Sequence, residues 1–280
     1  MTKKKEPMLP ILNGEFALVD SHCHLDMEAY KHDLKSVLHT AHSYGIKTVI
    51  TIGIDLQSSK NAIRIAMQHQ MVKATVGIHP HDVGNITDND IEEISKLIDR
   101  QQDNVVGYGE IGLDYVKQHS TPELQKQYFK EQLALARNHH LPVIIHDREA
   151  HDDILDILKT FVPFESGGVM HCFSGDLEHA KKVLDLGFHI SIPGIVTFKN
   201  AYALQNVAQN IPLNSLLLET DGPFLAPAPY RGKRNEPLLL LYTAEKVAQL
   251  RNTSIEEIAD ATTLNASKLF NFTINSETDT

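Results

Sequence analysis

Short apolar runs alternate with amphipathic stretches along the whole chain. Eight runs rich in Val, Ile and Leu predict strands, and most are apolar on both faces, which is typical of parallel strands covered by helices. The predicted strands are 17–22, 48–53, 74–79, 105–111, 142–146, 168–172, 189–192 and 215–219.

Apolar residues at helical spacing fill the intervals between these runs. In 122–140, Phe129, Leu133 and Ala136 form one stripe, and Thr121 provides an N-cap before a proline in the first turn. The stretch 176–186 stops at a glycine, a typical helix end. Further helices are predicted near 28–44, 58–70, 89–102, 149–161, 198–209, 237–250 and 254–270.

Eight strand–helix units predict an α/β protein with a single-domain (β/α)8 TIM barrel. The alternative is a doubly wound open sheet, which is disfavoured because no Gly-rich phosphate loop follows the first strand. We expect the barrel to occupy residues 14–274, with 1–13 as a flexible N-terminal extension and 275–280 as a loose C-terminal tail.

Composition and charge narrow the class of protein. The 280-residue chain carries a net charge of −10, which argues against a protein that coats nucleic acid by general attraction, although an enzyme that holds a few phosphates stays possible. Two cysteines give no disulfide framework. No run reaches the length of a membrane span, and residues 8–12 are too short for a signal peptide core. The chain therefore predicts a cytoplasmic protein with no membrane partner and no obligate protein partner.

The first predicted strand runs into His22-Cys23-His24. Side chains two apart on a strand point to the same face, so both imidazoles can reach one metal ion while Cys23 points the other way. Neutral imidazole is the commonest metal ligand in proteins.

Ligand-type residues also end several later strands. Glu110, His146 and His171 each stand at the end of a predicted strand, and Asp221 follows the eighth. In a barrel these ends meet at one mouth. Burying four imidazoles and two carboxylates together is costly unless they coordinate a cation. We therefore predict a metal site at the C-terminal mouth of the strands.

The ligand types suggest two ions. One site would be formed by His22, His24, Glu110 and Asp221. Glu110 would also bridge to a second site formed with His146 and His171, and the two ions would lie roughly 3.5–4 Å apart. Glu110 and Asp221 are the predicted catalytic residues, and Asp221 can also act as general base. Glu219 is interpreted as a buried anchor for a ligand. The metal can be Mg²⁺, Mn²⁺ or Zn²⁺.

A basic loop follows the last strand. It contains Arg231, Lys233 and Arg234 and is stiffened by Pro227 and Pro237. In an acidic protein such a loop at the mouth suggests phosphate contacts, although a solvated surface loop explains the same charges.

Seven motifs together resemble the TatD family of metal-dependent deoxyribonucleases, which belong to the amidohydrolase-like barrels. The resemblance covers residues 16–270. Strand 4 ends in a glutamate and contains no lysine, so a plain carboxylate can bridge the metals. The motifs are Asp20-Ser21-His22-Cys23-His24-Leu25-Asp26, Gly77-Ile78-His79-Pro80, Gly109-Glu110-Ile111-Gly112-Leu113-Asp114-Tyr115, Pro142-Val143-Ile144-Ile145-His146, His171-Cys172-Phe173-Ser174-Gly175, Glu219-Thr220-Asp221-Gly222-Pro223 and Arg231-Gly232-Lys233-Arg234-Asn235-Glu236-Pro237.

The resemblance implies hydrolysis with divalent metals, and it implies a role for His79 on the substrate phosphate. It also implies deoxyribonuclease activity, often of the 3′-to-5′ exonuclease type, while some relatives are assigned D-aminoacyl-tRNA deacylation. The ligands that the resemblance implies are His22, His24, Glu110, His146, His171 and Asp221.

The function predicted from the sequence is hydrolysis of phosphodiester bonds at DNA ends, preferably single-stranded, by a water activated between two metal ions. His79, Arg231, Lys233 and Arg234 would bind substrate phosphates. Two alternatives stay open: an amide or ester hydrolase, such as a D-aminoacyl-tRNA deacylase or small-molecule amidohydrolase, and a non-catalytic metal-binding scaffold.

Overall fold

A computed structural model describes residues 8–117 and 119–274, and within them all eight predicted strands form one sheet. Each strand pairs in parallel with the next along the chain. The strands are β1 (Leu18–Cys23), β2 (Ile46–Thr51), β3 (Val72–Val76), β4 (Val105–Asp114), β5 (Val143–Arg148), β6 (Gly168–Met170), β7 (His189–Ile192) and β8 (Leu216–Leu218).

Backbone hydrogen bonds between the end of β1 and the segment that follows β8 close the sheet. The Asp221 N–H donates to the His22 carbonyl at 2.9 Å, and the His24 N–H donates to the Gly222 carbonyl at 2.7 Å. These bonds place the end of β8 beside β1, so the (β/α)8 barrel is confirmed and the open sheet is wrong. The described α-helices are α1 (Leu34–Ser43), α2 (Leu56–Gln68), α3 (Asp88–Arg100), α4 (Pro122–Asn138), α5 (His151–Lys159), α6 (Leu177–Asp185), α7 (Tyr202–Asn210), α8 (Leu240–Arg251) and α9 (Ile255–Leu269).

The first helix is shorter than the predicted 28–44. A single 3-10 turn covers Glu28–Tyr30, and α1 begins only at Leu34. The Tyr30 side chain is buried, and its hydroxyl donates to the Asn235 carbonyl at 2.6 Å. This tertiary anchor holds the segment across the loop after β8, so it cannot continue as one straight helix.

The third strand ends at Val76, before the predicted end at His79. Ile78 in the following loop is buried, but its backbone bonds to a helix side chain: its N–H donates to Gln132 Oε1 at 2.8 Å, and its carbonyl accepts from Gln132 Nε2 at 3.0 Å. The side chain of this glutamine on α4 thus makes the hydrogen bonds that the backbone of a neighbouring strand would otherwise make. In contrast, β4 and β5 extend beyond their predicted ends, because Asp114 still pairs with Arg148.

The apolar core has two layers. The larger layer lies between the strands and the surrounding helices. In the smaller layer, Val19 of β1 shares a cluster with Ile144 of β5 across the barrel, so this layer fills the interior. Phe270, at the end of α9, is 1% exposed and belongs to the same cluster. We call this apolar interior end the base, and it lies opposite the mouth.

The predicted ends of the domain are only partly described. Residues 1–7 and 275–280 lie outside the described residues. Residues 8–13 form no helix or strand, yet Pro10 is buried and the Tyr242 hydroxyl donates to the Met8 carbonyl at 3.2 Å. Across the described part of the chain, no helix combines the length and apolar character needed to span a bilayer.

Candidate metal centre

The carboxylate of Glu110 lies at the centre of the mouth. Its Oε2 is 3.4 Å from His22 Nε2 and 3.8 Å from His24 Nε2. Its Oε1 is 2.6 Å from His146 Nδ1 and 2.7 Å from His171 Nε2. The two oxygens of one carboxylate therefore face two different pairs of histidines.

Asp221 completes the first of these groups. Its Oδ1 is 3.3 Å from His24 Nε2 and 3.8 Å from His22 Nε2, and the two imidazole nitrogens are 3.3 Å apart. Donor atoms that bind one ion at about 2.0–2.2 Å lie roughly 2.8–3.6 Å from one another. These separations are therefore close to those that a shared cation requires.

The backbone around Asp221 is shaped to bring it beside β1. Asp221 adopts a positive φ of 55°, a conformation that aspartate tolerates better than most residues. A Cβ on Gly222 would lie 2.5 Å from the Tyr30 hydroxyl and 3.0 Å from Cys23 Sγ. Only glycine permits this close approach, so the chain after β8 can deliver the Asp221 carboxylate to the histidines of the first strand.

Buried charges of opposite sign dominate the electrostatics. Burial would raise the pKa of Glu110, but the charge of His171 and hydrogen bonds with His146 and His171 hold that pKa well below its usual range. Burial lowers the pKa of His22 and so keeps its imidazole neutral, the form that binds metals. Burial acts likewise on His171, but the neighbouring Glu110 carboxylate raises its pKa well above the usual value.

The donor set fits divalent cations. Three overlapping groups have ligand atoms within 4.8 Å of one another: His22 with Glu110 and His171, His22 with His24 and Asp221, and His79 with Glu110 and His146. Mixed imidazole and carboxylate donors suit Zn²⁺, Mn²⁺ or Fe²⁺, and two anionic carboxylates offset the charge of a cation.

Asp114 supports this centre and was not singled out from the sequence. It is fully buried, and its Oδ2 lies 3.2 Å from His146 Nε2 and 2.7 Å from His81 Nε2. It therefore holds the far nitrogen of His146 while Nδ1 faces Glu110, as carboxylates behind metal-binding histidines do. The available signal was strand parity, because Asp114 follows Glu110 by four residues on β4.

Glu219 lies behind His171. Its carboxylate is fully buried, and Oε1 is 3.5 Å from His171 Nδ1 and accepts the Cys172 N–H at 2.6 Å. The Glu219 side chain therefore faces the nitrogen of His171 that is turned away from the mouth.

His79 lies in the mouth as well. Its Nε2 is 3.4 Å from Glu110 Oε1, and its Nδ1 accepts the His81 N–H at 3.1 Å. Burial lowers the pKa of His79 to about 4, so the ring is neutral at pH 7. Because Nδ1 accepts a hydrogen bond, the ring proton resides on Nε2 and points toward the centre.

The three basic residues of the loop after β8 have different surroundings in the structure. The Arg231 guanidinium lies over the Phe198 ring, 4.7 Å from its centroid, and Lys233 is exposed. The Arg234 guanidinium instead bonds to two carboxylates, on Asp33 at 2.7 and 3.0 Å and on Glu236 at 2.7 and 3.2 Å.

A fifth bond from Arg234, to the Ala29 carbonyl at 2.6 Å, uses its remaining N–H group. Every donor of this side chain is therefore occupied within the protein. The structure places Arg234 beside the segment before α1, with its guanidinium bonded within the protein.

Comparisons with known proteins agree with this geometry. The model of the TatD related DNase family matches residues 19–271. YabD of Bacillus subtilis, named an uncharacterized metal-dependent hydrolase, is 41% identical over 253 residues, which cover 90% of this chain and 98% of the relative. YcfH of Escherichia coli K12, named in the same way, is 39% identical over 256 residues, which cover 90% of this chain and 95% of the relative.

A solved structure shows the same likeness. The crystal structure of YJJV, described as a TatD homolog from Escherichia coli K12, superposes with a TM-score of 0.87 at 32% identity. The match covers 91% of this chain and 98% of that one. The chain therefore belongs to the TatD family and is a metal-dependent hydrolase.

Proposed function

We propose that the protein is a deoxyribonuclease that removes nucleotides from the 3′ end of single-stranded DNA with the help of two divalent metal ions. This proposal rests on the position of the Glu110 side chain, whose two carboxylate oxygens face separate groups of histidines. His22, His24 and Asp221 would hold one ion and His146 and His171 the other, with Glu110 between them.

The residues of the mouth suit hydrolysis of a phosphodiester. Two divalent ions, when bound, supply positive charge to the phosphate and lower the pKa of a nearby water. Burial would raise the pKa of Asp221, but its hydrogen bond with His24 and the charge of that imidazole hold the pKa below the usual value. Asp221 is therefore ionised at neutral pH and can take a proton from the attacking water.

Groups around the centre suit a single DNA strand. His79 Nε2 can donate to a phosphate oxygen, and Arg231 and Lys233 supply exposed positive charge on the loop after β8. The Phe224 ring is 49% exposed and lies 6.1 Å from the His24 ring. Unpaired bases stack on such exposed aromatic rings, which supports a single-stranded substrate.

Arg234 takes a different role in this proposal. Because all its donors bond to Asp33, Glu236 and the Ala29 carbonyl, we assign it to holding the basic loop against the segment before α1. Arg231 and Lys233 then remain as the loop residues that contact substrate.

The test is digestion of oligonucleotides with Mg²⁺, Mn²⁺ and Zn²⁺ in parallel. A 5′-labelled single strand should shorten stepwise from its 3′ end, faster than a blunt duplex. Glu110→Ala should abolish turnover while circular dichroism and thermal unfolding show a folded barrel. Full activity of this variant would contradict the bridging role of Glu110.

Other outcomes of this assay favour the rival functions. Hydrolysis of an amide, an ester or a D-aminoacyl-tRNA, without any phosphodiester cleavage, would replace deoxyribonuclease activity with that reaction. Phosphate contacts also make binding of DNA weaken as salt rises, whereas binding of a neutral small amide would not respond in this way. Absence of turnover on every substrate class with every metal would favour a scaffold.

A further inference from the structure

A second cluster of ligand-type side chains lies outside the mouth. On β5, His146 faces the centre, and the next residue, Asp147, points to the opposite side of the strand. There Asp147 Oδ2 is 2.8 Å from His151 Nδ1, at the start of α5, and 3.5 Å from His179 Nε2, in the first turn of α6. One ligand atom from each residue lies within 4.8 Å of the other two.

The orientation of His179 is the independent observation at this cluster. The residue is 8% exposed, and its Nε2 has no hydrogen-bond partner among the residues that the structure describes. The contact of 3.5 Å to Asp147 is too long for a good hydrogen bond. A buried polar atom without a partner is destabilising, so a ligand that occupies this position is favoured.

Packing fixes the His179 ring toward Asp147. The ring stacks on Phe173 with centroids 5.5 Å apart and on His151 with centroids 4.3 Å apart. A Cβ on Gly175 would lie 2.5 Å from His179 Cδ2, so the glycine makes room for the ring. The imidazole is thus held in place before any ligand binds.

We propose that Asp147, His151 and His179 form a third metal site, peripheral to the mouth, for a divalent cation such as Zn²⁺. A set of two imidazoles and one carboxylate suits Zn²⁺, whereas Mg²⁺ prefers oxygen ligands alone. In a tetrahedral zinc site the donors lie roughly 3.3–3.6 Å apart. The pair Asp147–His179 already has this spacing, at 3.5 Å.

The remaining donors of this peripheral site can adjust. The Asp147–His151 distance of 2.8 Å must widen, and the His151 side chain is 35% exposed and can move. The same exposure leaves the fourth position open to water. A bound ion would tie the end of β5 to the first turns of α5 and α6, and it would do so independently of the proposed catalytic centre.

The experiment measures Zn²⁺ binding by chelator competition in the Glu110→Ala background, so that catalysis plays no part. Adding His151→Ala should weaken one zinc site by about 100-fold or more, since loss of even a partner behind a ligand costs 10- to 100-fold. The matched control is His139→Ala, because His139 faces a single carboxylate, Asp99 at 3.5 Å, and should leave zinc binding unchanged.

A crystal of the wild-type protein grown with Zn²⁺ provides a second measurement, because it locates the bound ions directly. An anomalous peak within about 2.0–2.2 Å of Asp147, His151 and His179 supports the site. Equal zinc affinity with and without His151→Ala, or zinc peaks at the mouth alone, would overturn it. His151→Ala in the wild-type background should retain DNA hydrolysis, so failure of this proposal and failure of the proposed function are distinguishable.

Discussion

The base and the mouth of the barrel are built from the same strands with opposite kinds of side chain. On β5, Ile144 packs in the apolar base with Phe270, whereas His146, two residues later on the same face, reaches the Glu110 carboxylate. The base excludes water and contributes stability. The mouth buries charges that are costly without a cation, so it serves chemistry. Substitutions at the two ends should therefore separate stability from activity.

After Glu110→Ala, the largest effect is expected for Asp221→Asn at the mouth. Asparagine tolerates the positive φ of 55° at this position, so the fold should persist, but the amide cannot accept a proton as the proposed general base does. Turnover should fall by about 10²- to 10⁴-fold. The measurement is the initial rate on the preferred oligonucleotide. The control is Asp55→Asn, which preserves the N-cap of α2; equal losses in both variants would contradict the role of Asp221.

At the base, Phe270→Ala should lower the free energy of unfolding by about 3–5 kcal/mol, because it leaves a cavity in a side-chain cluster where Phe270 is 1% exposed. Denaturant titration measures this change. Leu264→Ala, on α9 at 49% exposure, should cost less than about 1 kcal/mol. The rate per folded molecule should be unchanged in both, and a large fall in that rate for Phe270→Ala would show that the two ends are coupled.

Asp114→Asn tests the support of the mouth. Loss of the carboxylate that holds His146 and His81 should weaken activation by metal about 10- to 100-fold. The concentration of Mn²⁺ that gives half-maximal rate measures this effect. Asp153→Asn removes a carboxylate that accepts bonds from Tyr115 and Lys126 and not from a histidine of the mouth, and it should leave that concentration unchanged.

The smallest effect is expected for Ser254→Ala, at the start of α9. The Ser254 hydroxyl accepts the Glu257 N–H at 3.1 Å, and losing this N-cap should cost about 1 kcal/mol of unfolding free energy. Thermal unfolding measures it, and Ser254→Asp should restore the cap. Any change in turnover beyond the loss of folded protein would show that the helix that seals the base also influences the mouth.

The order of the elements and the type of fold could be predicted from the sequence. Continuous apolar runs and helical patterns are local properties of the chain, so the strands and helices could be predicted with errors only at their ends, as at Tyr30 and Ile78. Those errors arise where a partner far along the chain intervenes. The Asn235 carbonyl accepts the Tyr30 hydroxyl, and the Gln132 side chain bonds to the Ile78 backbone.

The partners of each side-chain atom at the mouth could not be predicted in this way, because they depend on the tertiary structure. The sequence indicated His22, Glu110 and Asp221 as candidate ligands, but the assignment of each Glu110 oxygen to a different histidine pair depends on barrel closure. The same holds for Arg234, whose donors are occupied by Asp33 and Glu236. Local pattern specifies which face a side chain occupies, whereas its partners depend on distances between strands and loops that the sequence alone does not contain.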